Sequence, residues 1–263
     1  MDLGIKDRVA VVAASSRGLG LAVARGLAKE GAKLALCARG SAALDSAAAE
    51  IRGETGAEVM TCALDVTRYD DIRRFVATVV ERFGRLDICV ANAGGPPAKS
   101  FAETTIEDWR AAVDLNLMST VYFAKETLPL MQKHQWGRFI SITSVAVKQP
   151  VDGLILSNAV RSGVSGLIKT LANEYGRHGV LVNNVCPGYT ATARLVELSQ
   201  RLAAKENVDP AEIEARWAGQ TALGRVGRPE EFADLVVYLA SDRATYITGA
   251  CIAVDGGLVK GVY

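Results

Sequence analysis

The 263-residue sequence lacks the features that mark several classes of protein. No uninterrupted apolar run approaches the roughly 18 residues of a membrane-spanning helix, and no basic patch followed by an apolar stretch opens the chain. Lys and Arg number 30 against 29 for Asp and Glu, so no field of one sign is present to hold a nucleic-acid backbone or an anionic membrane. We expect a cytoplasmic protein that binds neither nucleic acid nor membrane.

Metal-binding and disulfide patterns are also missing. The five cysteines, at positions 37, 62, 89, 186 and 251, have no Cys-x-x-Cys spacing, and each lies in a short apolar run. We expect them to be reduced, buried thiols. Only two histidines are present, without a cluster of Cys, His and Asp ligands, so the sequence predicts no metal site.

Short apolar runs alternate along the chain with longer segments of helical period. Ile72, Phe75, Val76 and Val79, for example, fall on one helix face. This alternation is typical of βαβ units that build a parallel sheet, and no linker, charge block or internal repeat divides the chain. It predicts an α/β fold with one doubly wound, seven-stranded parallel sheet and helices on both faces. The predicted strands are 9–14, 34–38, 59–63, 88–91, 139–142, 180–185 and 252–254.

A polar, Ala-rich insertion, 191–219, interrupts this rhythm between the sixth strand and the last helix. Its place beyond the carboxyl end of a strand predicts a helical substrate lid. Its mixture of apolar and basic side chains suits an amphiphilic acid or an acyl carrier, although any half-buried helix has the same pattern.

A glycine turn follows the first predicted strand and leads straight into an amphipathic helix. Free backbone N–H groups and the positive end of the helix dipole converge at such a place and bind anions. In the segment Ser15-Ser16-Arg17-Gly18-Leu19-Gly20, Gly18 lets the backbone approach a pyrophosphate and Gly20 lets the helix pack closely on the strand. A simple tight turn is the alternative. In this context the turn predicts a single Rossmann dinucleotide-binding domain over residues 1–263.

The end of the second predicted strand bears on the choice of cofactor. A dinucleotide fold that prefers NAD(H) usually places an acid there, to bond the ribose 2′-hydroxyl. Here the strand ends at Arg39 without a carboxylate, and both Arg39 and Arg17 can face a 2′-phosphate. The sequence therefore favours NADP(H) over NAD(H); the alternative is that both arginines are simply solvated.

Together with several later motifs, these residues resemble the short-chain dehydrogenase/reductase family, and especially its 3-oxoacyl-[acyl-carrier-protein] reductases. The resemblance covers nearly the whole chain. Its further motifs are Leu64-Asp65-Val66, Asn92-Ala93-Gly94, Asn116, Ser144, and the segments 183–192, 224–231 and 247–257.

The resemblance assigns roles to these motifs. It implies that Asp65 meets the adenine ring and that Asn92-Ala93-Gly94 lies under the adenosine. The loop that contains Pro187, Gly188, Thr190 and Thr192 is expected to face the nicotinamide, with both threonines beside its carboxamide. Ala14, Ser16, Leu19, Val66 and Arg161, the last bonded to the nicotinamide ribose, complete the expected cofactor site. The resemblance also implies a homo-oligomer, a dimer or tetramer, that associates through the helices predicted at 109–134 and 157–177.

The sequence departs from the family at the two positions that usually carry the chemistry. The family has Tyr-x-x-x-Lys beginning thirteen residues after the catalytic serine, whereas this chain has Ser157 and Arg161 there. An aliphatic hydroxyl is a far poorer acid than a phenol, and a guanidinium does not release a proton. Asn116 and Ser144 match the family, so the predicted catalytic residues are Asn116, Ser144, Ser157 and Arg161.

The glycine turn departs from the family as well. Ala13 and Ala14 replace the usual Thr-Gly at its start. If position 14 takes a positive φ, its Cβ costs about 1–2 kcal/mol.

Three functions are compatible with this sequence. The first is an NADP(H)-dependent oxidoreductase of a carbonyl or alcohol, small-molecule or acyl-carrier-linked, in which Ser144, Asn116 and an ordered water replace the phenol. The second is a lyase or hydrolase that uses Ser144, Ser157 and Arg161 as an oxyanion site. The third is a dinucleotide-binding protein without turnover. Tyr189, Lys148 and Asp152 are other candidate proton donors, against ordinary packing or solvation.

Overall fold

One sheet of seven parallel strands organises the computed structural model, which describes residues 1–262. The strands lie in the order β3-β2-β1-β4-β5-β6-β7, and each pairs in parallel with its neighbours. They are β1 (Val9–Ala13), β2 (Lys33–Ala38), β3 (Val59–Ala63), β4 (Ile88–Ala91), β5 (Gly137–Ile142), β6 (Val180–Pro187) and β7 (Cys251–Val254). All seven predicted strands are therefore confirmed, although β1 ends one residue before the predicted Ala14 and β6 extends to Pro187.

Helices cover both faces of the sheet. Phe232 and Leu27 pack on one face with the β1 residues Ala10 and Val12. Phe75, Phe123 and Ile168 pack on the other face with Val9 and Val11. Alternate β1 side chains thus enter opposite cores, as a doubly wound sheet requires, and the predicted fold class is confirmed. The helices are α1 (Gly18–Lys29), α2 (Ser41–Thr55), α3 (Tyr69–Phe83), α4 (Ile106–Ala112), α5 (Ser119–Lys133), α6 (Ile155–Tyr175), α7 (Ala193–Glu206), α8 (Pro210–Gln220) and α9 (Pro229–Leu239).

The long helix predicted at 109–134 is not one regular α-helix. It begins earlier, as α4 at Ile106, and a π-helical turn at Val113–Met118 separates α4 from α5. The wider turn places Asn116 at the buried end of the helix pair, 4% exposed. Single π-turns of this kind often occur at functional sites. The prediction missed the turn because one extra residue hardly changes an amphipathic pattern.

The predicted 191–219 insertion consists mainly of α7 and α8. These helices form a small apolar cluster of their own around Ala203, Ile213 and Trp217. Tyr189 stacks on Trp217 with ring centroids 5.0 Å apart and an interplanar angle of 17°. The segment is therefore a packed helical pair joined to the end of β6.

All five cysteines are free thiols. Cys37, Cys89 and Cys186 are buried as predicted, whereas Cys62 and Cys251 are partly exposed. The prediction that all five are buried is wrong for these two because β3 and β7 form the two edges of the sheet. Across residues 1–262, no helix has the length and apolar character needed to cross a membrane.

The order of the strands creates a crevice at their carboxyl ends. β1 pairs with β2 on one side and with β4 on the other, so the chain changes direction across the sheet between β1 and β4. In open α/β sheets ligands bind outside the strand ends at this switch point. The predicted glycine turn lies at the end of β1, on one wall of this crevice.

The glycine turn depends on a tight contact between the end of β1 and helix α1. A Cβ built on Gly20 comes within 2.4 Å of the Ala14 carbonyl oxygen, so only glycine fits there. Ala14 itself has φ of 50°, in the left-handed region that favours glycine. Gly18, with φ of 60°, begins α1, and the Arg17 N-cap makes no side-chain capping bond. The backbone N–H groups at this end of α1 therefore face the crevice without a side-chain cap.

We expect Ala14→Gly to stabilise the protein slightly. Glycine removes the left-handed strain of about 1–2 kcal/mol, while its greater freedom in the unfolded chain returns roughly 0.5–1 kcal/mol. The free energy of unfolding in urea is expected to rise by at most about 1 kcal/mol. Ala13→Gly, at the neighbouring buried strand position, is the matched control and is expected to destabilise by about 0.5–1 kcal/mol. Equal destabilisation by both changes would contradict the proposed strain at Ala14.

Candidate active site

Hydrogen bonds to β2 and from the segment after β4 hold the glycine turn in place. Ser15 is completely buried, and its backbone N–H donates to the Cys37 carbonyl of β2 at 3.2 Å. Asn92, which follows β4, donates from Nδ2 to the Ala13 carbonyl at 3.3 Å. The predicted Asn92-Ala93-Gly94 segment is thus next to the turn, and a Cβ on Gly94 meets no atom within 4 Å. Open space therefore lies beside Gly94.

Two charged residues lie at the outer end of the crevice: Arg39 follows β2, and Asp65 follows β3. The Asp65 carboxylate accepts from the Thr67 N–H at 3.0 Å and from its hydroxyl at 2.9 Å. These bonds, the backbone one first, lower the pKa of Asp65, and the charges of Arg39 and Arg68 lower it further. Asp65 is thus held as an anion that is ready to accept hydrogen bonds.

The two arginines predicted to face a 2′-phosphate are exposed, and within residues 1–262 neither Arg17 nor Arg39 forms an ion pair with a carboxylate. Ser16 and Leu19, on either side of Arg17 in the chain, are half-buried, and Val66, which follows Asp65, is buried. The arrangement leaves two guanidinium groups available for an anionic ligand.

The loop after β6 closes the other wall of the crevice. Gly188 is needed because a Cβ there comes within 2.7 Å of the Asp255 Cα. Thr190 is buried, and its neighbour Ala191 donates its N–H to the Gly227 carbonyl at 2.8 Å. Thr192 caps α7 by accepting from the Leu195 N–H at 3.4 Å. Its Cγ2 lies 3.6 Å from the Cβ position built on Gly18, so this loop reaches the glycine turn.

Asn116 and Arg161 converge on one carbonyl oxygen. Asn116 Nδ2 donates to the Gly94 carbonyl at 2.9 Å, and Arg161 Nη2 donates to the same oxygen at 3.3 Å. The other amide atom, Asn116 Oδ1, is buried without a partner among residues 1–262. A buried acceptor without a partner normally binds an ordered water or a ligand atom.

Arg161 is bound by backbone carbonyls at the floor of the crevice. Besides the Gly94 bond, its Nη1 donates to the carbonyls of Ile142 at 3.2 Å and Thr143 at 3.0 Å. A guanidinium has five N–H donors, so two remain for a ligand. Burial lowers the pKa of Arg161 to about 10, which still leaves it charged at neutral pH.

The two predicted hydroxyls lie on adjoining segments. Ser144 follows β5, and its Oγ accepts from the Ala146 N–H at 3.1 Å. Its own hydrogen is therefore free to be donated. Ser157 is 7% exposed, on the same buried face of α6 as Arg161, and its hydroxyl has no partner among residues 1–262. The segment that connects Ser144 to Ser157 is bound to α6 by Asn158, whose side chain exchanges two hydrogen bonds with the backbone of Val151.

One residue of the site was not among the predicted site residues. Arg194, in the first turn of α7, donates from Nη2 to the Pro96 carbonyl at 2.9 Å and from Nη1 to Glu197 at 3.1 Å. Its charge is close enough to Arg161 to lower the pKa of that guanidinium further. The sequence marked it only as a basic residue of the lid, because the contact joins α7 to a loop 98 residues earlier in the chain.

The other three candidate proton donors are Tyr189, Asp152 and Lys148. Tyr189 donates its hydroxyl to Gln220 Oε1 at 3.2 Å while its ring stacks on Trp217, so it belongs to the packing of α8. Asp152 is exposed, and Lys148 is half-buried in the segment after Ser144. Within residues 1–262, no group of three or more His, Cys, Asp or Glu side chains is arranged to hold a metal ion.

Comparison with known proteins places this geometry in a family. Residues 13–259 match the family described as enoyl-(acyl carrier protein) reductase. A short-chain dehydrogenase/reductase of Aspergillus oryzae is 34% identical over 256 residues, with 97% of this chain and 95% of the relative covered. A 3-oxoacyl-[acyl-carrier-protein] reductase of Synechocystis is 36% identical over 254 residues, covering 96% of this chain and 97% of the relative.

Solved structures agree with these relatives. L-sorbose reductase from Gluconobacter frateurii, in complex with NADPH and L-sorbose, superposes with a TM-score of 0.95 at 33% identity, and 100% of both chains is covered. The match thus includes the sheet, the glycine turn and the segment that contains α7 and α8. The chain belongs to the short-chain dehydrogenase/reductase family.

Proposed function

We propose that this chain is an NADP(H)-dependent oxidoreductase that acts on the carbonyl or alcohol group of a small molecule or an acyl-carrier-linked substrate. The observation that carries the proposal is the position of the Arg161 guanidinium. It lies at the carboxyl ends of β4 and β5, beside the switch-point crevice, and two of its N–H donors are free to bind a ligand. The L-sorbose reductase, which has the same fold, holds NADPH.

The residues around the crevice fit a dinucleotide. The uncapped start of α1 offers backbone N–H groups to a pyrophosphate, and the open space beside Gly94 leaves room for a ribose. Arg17 and Arg39, without carboxylate partners in the described chain, suit a 2′-phosphate. Asp65, Asn92 and the loop from Pro187 to Thr192 would hold the adenine and nicotinamide ends. When bound, the cofactor supplies or accepts a hydride.

The chain's own residues then bind and polarise the substrate. Because Ser144 Oγ already accepts from the Ala146 N–H, its hydrogen points away from that bond and can be donated to a substrate oxygen. The fixed positive charge of Arg161 stabilises negative charge that develops on that oxygen. Both groups are held by backbone bonds, so little reorganisation is needed during the reaction.

Proton delivery is where this site differs from the family pattern. Ser157 is too weak an acid to replace the phenol, and Arg161 retains its protons. We propose an ordered water that donates to the orphaned Asn116 Oδ1 as the group that transfers the proton, while Ser144 holds the substrate oxygen by a hydrogen bond. Loss of a general acid costs about 10²–10⁴-fold in rate, so slow turnover is expected on simple ketones.

The non-redox and non-catalytic alternatives have less support. Most of the similar proteins are named as reductases or dehydrogenases, and the cofactor loop keeps its backbone contacts with the glycine turn. We further propose that α7 and α8 act as a substrate lid, supported by the bond from Arg194 to the Pro96 carbonyl across the crevice. A location in the cytoplasm stays a prediction of the sequence.

The cofactor proposal is tested by NADPH and NADH titrations followed by fluorescence. Arg39→Ala is expected to weaken NADPH binding about 10–100-fold, the value of a lost charge-assisted hydrogen bond, and to leave NADH affinity nearly unchanged. Arg110→Ala, which removes an exposed arginine of α4, is the control and should change neither affinity. Equal losses for both cofactors, or no binding of NADPH by the parent protein, would contradict the proposal.

The catalytic proposal is tested by NADPH oxidation with a panel of 3-oxoacyl thioesters and ketones. Ser144→Ala is expected to lower kcat about 10²-fold because one donor to the developing oxyanion is lost. Ser162→Ala, on the exposed side of α6, serves as the control and should keep the parent rate. Ser157→Tyr should raise the rate at least about 10-fold by restoring a phenol acid. A parent rate that survives Ser144→Ala unchanged would refute the assignment.

We also propose that the chain forms a dimer or tetramer through the outer faces of α5 and α6, as its family resemblance implies. Size-exclusion chromatography with light scattering is expected to give two or four times the chain mass of 27.9 kDa. A species of 27.9 kDa at micromolar concentration would exclude this assembly.

A further inference from the structure

Two cysteines of neighbouring strands lie side by side at one edge of the sheet. Cys186 of β6 and Cys251 of β7 have sulfur atoms 3.2 Å apart. Cys186 pairs in register with Ala253, and Cys251 with Asn184, so both side chains project from the same face of the sheet, two residues out of register. The proximity comes from the pairing of β6 with β7, which brings together residues 65 positions apart in the sequence.

The surroundings of this thiol pair favour a thiolate at Cys251. Its sulfur lies 3.2 Å from Cys186 Sγ, 3.8 Å from Ser165 Oγ and 3.3 Å from Asn184 Nδ2. Hydrogen bonding from Cys186, then from Ser165, the charge of Lys148 and the bond from Asn184 lower the pKa of Cys251 below its ordinary value. The pKa of Cys186 is raised by the same contact with Cys251 and by burial.

The other three cysteines have the opposite character. Burial raises the pKa of Cys37 and Cys89, and both are inaccessible in the sheet. Cys62 is partly exposed on the opposite edge, but burial and the nearby Asp71 raise its pKa as well. Thiolate character and access to solvent, the two properties that determine cysteine oxidation, therefore coincide only at Cys251 within the described chain.

We propose that Cys186 and Cys251 form a modification site that reacts with a hydroperoxide and closes reversibly to a disulfide. The Cys251 thiolate attacks one peroxide oxygen, the O–O bond breaks, and Cys251 becomes a sulfenic acid. The other oxygen takes up from solvent the proton that the Cys251 thiol released on ionising, and it leaves as water or alcohol. The Cys186 sulfur then attacks the Cys251 sulfur, the S–O bond breaks, and the hydroxyl leaves as a second water with the Cys186 proton. Two thiols are oxidised by two electrons, and one peroxide is reduced.

The disulfide needs a movement of the backbone. The two sulfurs must approach from 3.2 Å to about 2.05 Å. A diagonal pair on neighbouring strands has its Cα atoms about 7–8 Å apart, beyond the roughly 4.4–6.8 Å that disulfides bridge, so β7 has to shift towards β6. β7 can do this more easily than an inner strand because it is paired on one side only.

This movement is connected to the proposed active site. Cys186 Sγ lies 3.3 Å from Thr143 Oγ1, and the carbonyl of Thr143 accepts the 3.0 Å bond from Arg161. Cys186 also directly precedes Pro187 and Gly188, where the cofactor loop begins. Oxidation is therefore expected to weaken NADPH binding by a few-fold, a consequence that rests on the proposed function, whereas the disulfide itself does not.

The test counts thiols in the whole protein after treatment with hydrogen peroxide. The parent should fall from five titratable thiols to three under denaturing conditions, with peptide mapping placing the disulfide between Cys186 and Cys251, and a dithiol reductant should restore five. Cys62→Ser is the matched control and should lose the same two thiols, from four to two.

Two further variants distinguish the roles of the pair. Cys251→Ser and Cys251→Ala should keep all four remaining thiols under the same treatment. Cys186→Ser should form no internal disulfide and should instead accumulate a sulfenic acid at Cys251 that dimedone traps. Circular dichroism before oxidation checks that each variant is folded.

Several outcomes would overturn the inference: five thiols that persist in the oxidised parent, a two-thiol loss that survives Cys251→Ala, or a disulfide that joins two chains through Cys62. NADPH titration of the reduced parent is recorded in parallel. If NADPH does not bind while the Cys186–Cys251 disulfide forms, the proposed function fails and the modification site stands.

Discussion

The arrangement of the site depends on the buried guanidinium of Arg161. It is 6% exposed and has no carboxylate partner within residues 1–262; the three backbone carbonyls of Ile142, Thr143 and Gly94 take that place. Moving a cation out of water costs several kcal/mol unless such bonds offset it. Because the three oxygens belong to the end of β5 and to the loop after β4, this one cation joins α6 to the ends of both strands at the floor of the crevice.

The same contact explains how the scaffold keeps the family fold while its chemistry differs. A lysine and a phenol share two tasks, holding positive charge and moving a proton, and the lysine can take part in both. A guanidinium, even one whose pKa burial lowers to about 10 as at Arg161, holds its charge at neutral pH but does not pass on a proton. In the mechanism that we propose, the two tasks are therefore separated: Arg161 provides the positive charge, and the proton comes from a water at the orphaned oxygen of Asn116.

Features that follow from local sequence patterns could be predicted, whereas features that depend on contacts between distant residues were missed. Seven strands, the glycine turn and the conditional strain at Ala14 follow from local pattern and backbone sterics, and the structure bears each of them out. The π-turn before Asn116, the bond from Arg194 to Pro96 and the closeness of Cys186 to Cys251 could not be predicted. One extra residue in a helix leaves its apolar face almost intact, and the other two contacts join residues 98 and 65 positions apart.

The loop between β6 and α7 connects the cysteine pair, the glycine turn and helix α7. Cys186 ends the buried part of β6, Gly188 lies against Asp255, and Thr192 reaches the glycine turn while capping α7. Backbone contacts hold this short loop along its length. The loop therefore cannot easily change its shape when one of its ends moves. We therefore expect a shift at the sheet edge to reach the glycine turn and the start of α7. The cofactor site consequently depends on the packing of β7 as well as on the side chains that touch the ligand.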